Sequence, residues 1–220
     1  DYGFVAVCMG KGITNILKDL GVDRVIEGGQ TMNPSTDDIL KAVKRVKAKT
    51  VYVFPNNKNI IMAANQAAEL VEDKKIVVIP SKSVPQCISA MVEFNDKKSA
   101  EANEKAMNKA IGRVTSGQLT YAVRDTEIDG IEIKKDDILG MVEGKIVTVG
   151  KDIDDVLNRV VSQMVDEDTE FLNVYYGKEI KKPQADVMLR ALETKYADDE
   201  IEVSFKKGGQ PLYYYIISAE

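Results

Sequence analysis

The chain has 220 residues, 44% hydrophobic and 30% charged, the make-up of a globular protein with room for one large domain or two smaller lobes. A formal net charge of −5 argues against a nucleic-acid partner, and the basic stretch 41–49 (KAVKRVKAK) is interrupted by apolar residues in the manner of a solvated helix face. There is no histidine, and Cys8 and Cys87 cannot by themselves make a usual structural zinc site.

Residues 3–8 (GFVAVC) form a short apolar run of the kind expected for a strand buried on both faces. Ile13, Ile16, Leu17 and Leu20 follow at helical spacing, and Gly21 marks the stop. The intervening Gly10-Lys11-Gly12 could offer amides to a phosphate. It lacks the third glycine of a dinucleotide fingerprint and the Gly-Lys-Ser/Thr ending of a P-loop, so it reads as a tight strand–helix turn. Residues 22–26 are the second strand. After Pro34, Ser35 can cap a helix whose buried stripe is Ile39, Leu40, Val43 and Val46. Residues 50–54 are the third strand, with a helix over about 59–71; residues 76–79 are the fourth, followed by a helix carrying Val84, Ile88, Met91 and Val92. Such repeats require right-handed crossovers and a parallel sheet with helices on both sides.

The pattern changes after Asn95. Residues 97–112 read as a charged, alanine-rich helix able to bridge two lobes, residues 114–124 as a strand, and residues 131–149 as several short strands with a hairpin at Glu143-Gly144. Helices at about 152–165 and 184–196 each lead into a strand, at 170–175 and 201–205. Gly208-Gly209 then turns the chain into a last strand over 212–218 (LYYYIIS). The expected organisation is a parallel α/β lobe over 1–95 and a mixed α+β lobe over 96–220. No apolar run is long enough to span a bilayer and no signal peptide opens the chain, which points to a cytoplasmic protein with reduced thiols. The abrupt start in strand residues suggests a domain excised from a longer protein.

In an open α/β sheet the loops after the strand carboxyl ends gather along one edge, where such folds bind ligands. Here those loops are 27–36 (EGGQTMNPST), 55–59 (PNNKN) and 80–85 (PSKSVP). They nominate Gln30, Thr31, Asn33, Ser35, Asn56, Asn57, Ser81, Lys82 and Ser83 as ligand- or partner-binding residues. Structural roles compete: Ser35 as an N-cap, the asparagines as left-handed turn residues, Lys82 as a solvated cation. Asp37-Asp38, Asp136-Asp137 and Asp152/Asp154/Asp155 sit in first helical turns or turns, and none makes a persuasive catalytic pair or magnesium site. Residues 208–211 (GGQP) read as a turn. Tyr213, Tyr214 and Tyr215 alternate faces, so at least one phenol is expected to be exposed or hydrogen-bonded.

Five motifs in order, EGGQTMNPSTDDIL, FPNNKNIIMAANQA, VVIPSKSVPQCISAM, GQLTYAVRDT and GGQPLYYYIISAE, make the chain resemble the C-terminal domain of the bacterial fatty acid kinase large subunit, nearly end to end. Proteins of this kind are grouped with dihydroxyacetone-kinase-like and DegV-domain proteins. The resemblance implies a DegV-like fold of two α/β lobes. It implies a parent enzyme whose absent N-terminal domain binds ATP and magnesium, leaving this fragment without a cofactor and without catalysis of its own. It further implies a separate DegV-fold carrier that presents the fatty acid and that this domain helps to dock. Carriers of the family hold the acyl carboxylate with serine and threonine hydroxyls helped by a histidine, which this chain lacks, so docking is favoured over acyl handling. The alternatives are a lipid-sensing domain with a fatty acid between the lobes, and a small-molecule kinase component using Gly10 to Gly12.

Overall fold

A computed structural model describes residues 1–29 and 31–220. Two compact units are present, Asp1–Val114 and Thr115–Glu220.

The first unit runs β1 (Tyr2–Cys8), α1 (Lys11–Asp19), β2 (Arg24–Glu27), α2 (Thr36–Lys44), β3 (Thr50–Phe54), α3 (Ile61–Glu69), β4 (Lys75–Val78), α4 (Val84–Glu93) and α5 (Ala100–Ile111). Its sheet has the order β2-β1-β3-β4 and every pair is parallel. The nearly continuous apolar runs take the central places: β3 is buried throughout and β1 from Gly3 onward, whereas the edge strands β2 and β4 are partly open. The sheet's two faces are filled differently. Val5, Val7, Val51 and Val53 pack with Ile39 and Val43 of α2 and Ala64 and Ala67 of α3. Alternate residues of the same strands build an aromatic cluster, with Phe4 stacked on Tyr52 at 5.6 Å and edge-on to Phe94 at 4.8 Å. The Tyr52 hydroxyl donates to the Ala100 carbonyl at 3.0 Å, and burial pushes its pKa up to about 12.

The expected lobe boundary at 95/96 moves to 114/115. The alanine-rich helix does not bridge two lobes; α5 packs along α4 and buries Asn103, Met107 and Ala110. The Asn103 amide, fully buried, donates to the carbonyls of Asn95 and Lys98 and accepts from the Asn95 amide, closing the connection that looked like a linker. Gln86 of α4 donates to the Ile111 carbonyl at the far end of α5.

The second unit runs β5 (Thr115–Tyr121), β6 (Thr126–Ile128), β7 (Ile131–Ile133), β8 (Ile138–Val142), β9 (Lys145–Gly150), α6 (Ile153–Met164), β10 (Phe171–Tyr176), α7 (Lys182–Lys195), a 3₁₀ turn (Ala197–Asp199), β11 (Glu202–Lys207) and β12 (Tyr215–Ala219). The six-stranded sheet has the order β11-β10-β12-β5-β8-β9; β10 and β11 are parallel and the other pairs antiparallel. β6 and β7 form a separate two-stranded ribbon. Helices α6 and α7 share one core with Leu119, Leu172, Val174, Tyr215 and Ile217. The approach of α6 is close enough to exclude side chains beneath it. A Cβ at Gly117 would lie 2.3 Å from the Met164 sulfur, and one at Gly140 would lie 2.4 Å from Val160 Cγ2. The expected hairpin at Glu143-Gly144 is present, both residues having positive φ.

One expectation for this unit changes and another gains a buried carboxylate. The last strand begins at Tyr215 rather than at residue 212, because Leu212 sits at φ 69° and breaks the extended run. Asp137 does close a turn, its amide donating to the Lys134 carbonyl at 3.1 Å, but the residue is only 5% exposed; its carboxylate accepts from the Lys134 amide at 2.8 Å and pairs with Lys151. The Lys151 ammonium and the Lys134 amide hold its carboxyl below the usual carboxylate range.

Candidate functional site

All four parallel strands of the first unit deliver their following loops to one end of the sheet. Between β1 and β3 the strand order reverses, and the crevice outside the strand ends at such a point is where open α/β sheets place ligands. Asn56 occupies it. The residue has φ 56°, its Nδ2 donates to the Val7 carbonyl at 2.9 Å, and its Oδ1 accepts from the Ser81 hydroxyl at 2.7 Å. The same hydroxyl accepts from the Asn56 amide at 3.2 Å, and Ser81 is fully buried. Next along the chain, Asn57 Nδ2 donates to the Gly29 carbonyl at 2.6 Å, and its Oδ1 accepts from the Asn59 amide at 2.8 Å. Two adjacent asparagines thereby fasten the loop after β3 to β1 and to the loops after β2 and β4.

The glycines of the loop after β2 serve close approach. Gly28 has φ 154°, and a Cβ there would fall 2.7 Å from the Met32 carbonyl. Ser35 caps α2 in a reciprocal box: its hydroxyl accepts from the Asp38 amide at 3.1 Å, while its own amide donates to the Asp38 carboxylate at 2.9 Å. These Ser35 hydrogen bonds pull the Asp38 pKa down. Ser83 caps α4, accepting from the Gln86 amide at 3.3 Å, and the Lys82 amide donates to Gln86 Oε1 at 2.7 Å.

The structure thus joins Asn56 to Ser81 directly and Asn57 to the β2 loop, and sets Ser35 and Ser83 to helix caps. Thr31, Asn33 and Lys82 stand exposed at the same end. Gln30 lies outside the described residues. The sequence reading missed Met32 and Met62, 75% and 72% exposed, on the β2 loop and at the start of α3. Met62 was discoverable, since it lies off the Ala64/Ala67 stripe by which α3 packs. Also missed was a cavity of about 460 Å³ beside β2, whose lining includes Arg24, Met32, Asn33, Lys41 and Arg45.

The segment 208–211 in the second unit is more than a turn. Gln210 is 1% exposed and its Nε2 donates to the Tyr175 carbonyl at 2.9 Å. The Lys178 amide donates to the Gln210 carbonyl and the Gly177 amide to that of Tyr214, so tightly that a Cβ on Gly177 would meet the Tyr213 oxygen at 2.2 Å. Tyr213 and Tyr214 are half-buried, whereas the Tyr215 hydroxyl and Gln210 Oε1 are buried without a partner among the described residues. Burial raises the Tyr215 pKa.

Cys8 and Cys87 are free and buried, and burial pushes both thiols up, Cys87 despite a hydrogen bond with Asn56. Among the described residues, no three His, Cys, Asp or Glu side chains lie together as a metal ion would need, and no helix is long and apolar enough to cross a membrane.

Residues 3–220 match the family model for the C-terminal domain of FakA-like fatty acid kinases. Protein YloV of Bacillus subtilis (strain 168) is 50% identical over 219 residues, which is all of this chain but only 39% of YloV. The chain thus spans about two fifths of the length of the curated relatives it matches. In fold it is similar to a fatty-acid-binding DegV family protein from Thermus thermophilus, with TM-score 0.67 and 12% identity over 100% of this chain and 99% of that one. The dihydroxyacetone kinase of C. freundii shares the fold over 100% of this chain and 48% of its own, with TM-score 0.64 and 12% identity. The α/β, DegV-like architecture is therefore shown, and the chain belongs to the family of FakA-like fatty acid kinase C-terminal domains.

Proposed function

We propose that this domain docks a fatty-acid-carrying protein of DegV fold through the strand-end edge of its first unit, so that the longer protein of which it is part phosphorylates the bound acyl chain. On this reading ATP and magnesium bind outside these 220 residues, and the domain contributes position rather than chemistry. The observation that carries the reading is the fastening of the loops by Asn56, Asn57 and Ser81. Polar groups turned inward to hold the loops leave Thr31, Met32, Asn33 and Lys82 as an exposed rim on a fixed frame, which is what a docking surface requires. Changing Met32, Asn33 and Lys82 together to alanine is expected to weaken binding of a fatty-acid-loaded DegV-fold carrier at least about tenfold, since a few central contacts carry most interface energy. The melting temperature is expected to stay unchanged. An unaltered affinity in the folded triple variant overturns the reading.

A second reading, that the domain itself binds fatty acid, is supported by the shared fold with the Thermus thermophilus protein. Against it, the hydroxyls of Ser35 and Ser81 already donate within the loops, to Asp38 and Asn56. Mass spectrometry of ligand extracted from the purified domain decides the matter: a stoichiometric acyl chain favours this second reading. The third, a small-molecule kinase component, requires magnesium-ATP binding in calorimetry that is lost on Gly12→Val.

A further inference from the structure

The two edges of the first sheet differ. On β4, Lys75 is ion-paired with Glu101 of α5. Among the described residues β2 pairs only with β1, and neither Arg24 on it nor Arg45 at the end of α2 has a carboxylate partner. Both arginines are exposed, and both line the groove of about 460 Å³ between β2, α2 and the loop at Met32 to Pro34. The groove's other charges are mostly engaged: Lys41 pairs with Asp37 at 2.5 Å and Asp38 belongs to the Ser35 cap. Glu27 is the exception.

The side-chain alternation of a strand sorts these groups by face. Arg24 and Ile26 stand opposite Val5 and Val7, on the face that α2 covers, whereas Val25 and Glu27 point to the other. An added strand alongside β2 would therefore meet guanidinium groups on the α2 side and the partly exposed Val25 on the far side. Its main chain would find the unpaired edge of a four-residue strand.

We propose that this groove takes an extended acidic segment of a protein partner, added to the sheet beside β2, with alternate carboxylates received by Arg24 and Arg45. Main-chain pairing supplies affinity in this mode of recognition, and the alternating side chains supply choice. Arginine suits the task because its planar fork binds a carboxylate through two parallel hydrogen bonds. The rival account is that the arginines only guard the edge against strand pairing. The inference does not rest on the carrier-docking reading: the groove shares Met32 and Asn33 with that rim, but its test turns on Arg24 and Arg45, so either can fail while the other stands.

The probe is the fluorescein-labelled peptide GSEVEVEVSG, titrated by anisotropy against the full chain at low salt. Saturable binding is expected, at least about tenfold tighter than for GSKVKVKVSG, because charge complementarity selects between them. A double variant, Arg24→Glu with Arg45→Glu, is expected to lose about tenfold or more with circular dichroism unchanged. If that variant misfolds, Arg45→Glu alone, on the helix end, makes the same test. An analogue with N-methylated valines, unable to pair as a strand, is expected not to bind. Absent binding, equal binding of the acidic and basic peptides, or indifference to the charge reversal overturns the proposal. So does undiminished binding of the N-methylated peptide. Self-association of an Arg24→Ala/Arg45→Ala variant, with no acidic-peptide binding by the native chain, establishes the guarding role instead.

Discussion

In the first unit every strand is parallel, so every strand–helix loop arrives at one end, and Asn56, Asn57 and Ser81 bond to one another's loops there. In the second unit most strand pairs are antiparallel, α6 and α7 share one core, and the tight places are glycines under α6 and Gly177 against the backbone at Gln210 and Tyr213. Two of its buried polar side chains, Gln210 and Tyr215, each keep an atom without a partner among the described residues. The contrast shows how connectivity decides where polar chemistry collects. A parallel sheet concentrates its loops by topology, whereas a meander distributes its turns to both ends and relies on packing.

The sharpest way to break this contrast is to strike each unit where it is packed. Phe4→Ala removes the ring that meets both Tyr52 and Phe94, and a cost of about 3–5 kcal/mol in denaturant unfolding is expected. A loss below about 1 kcal/mol would mean that the aromatic face of the parallel sheet is not a core at all. Gly140→Val forces a branched side chain against Val160 and Thr148, and should cost about 1–3 kcal/mol. An unaltered unfolding midpoint would show that α6 can back away from the sheet.

Smaller effects sharpen the account of the loops. Asn56→Ala leaves the Val7 carbonyl and the buried Ser81 hydroxyl short of partners and should cost about 1–3 kcal/mol, against less than about 0.5 for the exposed Asn33→Ala. Equal effects would erase the distinction between frame and rim. Ser35→Ala should cost about 1 kcal/mol through the lost cap. It should also flatten part of the acid branch of the stability profile, the part owed to the hydroxyl, while the Ser35 amide, the larger cause, keeps its bond to the Asp38 carboxylate. The Asp38 carboxyl is held below its ordinary value by Ser35, so its contribution is present above about pH 4 and disappears as pH falls through the depressed folded value. A Ser35→Ala variant with an unchanged acid branch would show that the hydroxyl adds nothing to the hold of the Ser35 amide on the Asp38 carboxylate.

Much of this architecture was legible because its causes are local. The apolar runs of β1 and β3 announced buried parallel strands, the Ser35 cap followed from its place before an amphipathic stretch, and Glu143-Gly144 announced its hairpin. The unread features depend on distant partners. The lobe boundary was misplaced because α5 looks like a solvated charged helix; what holds it is an asparagine, Asn103, bonded eight positions back to Asn95. The segment at Gln210 has the composition of a turn, yet its glutamine is buried against Tyr175, 35 positions away. The loops after the strands meet at one edge, where Asn56, Asn57 and Ser81 hold them together. Their partners, 49, 28 and 25 positions away, could not be named from the sequence.

Asn56 and Ser81 carry a consequence for descent. Each side chain bonds to the other, so losing either one leaves its mate short of a partner, whereas losing both for small apolar residues leaves no side chain stranded, only the Asn56 amide and the Val7 carbonyl. Lineages of this domain are therefore expected to keep the two together or exchange them together, with single replacements purged. Positions 31, 33 and 82, whose side chains are exposed, carry no such mutual constraint and should vary one at a time.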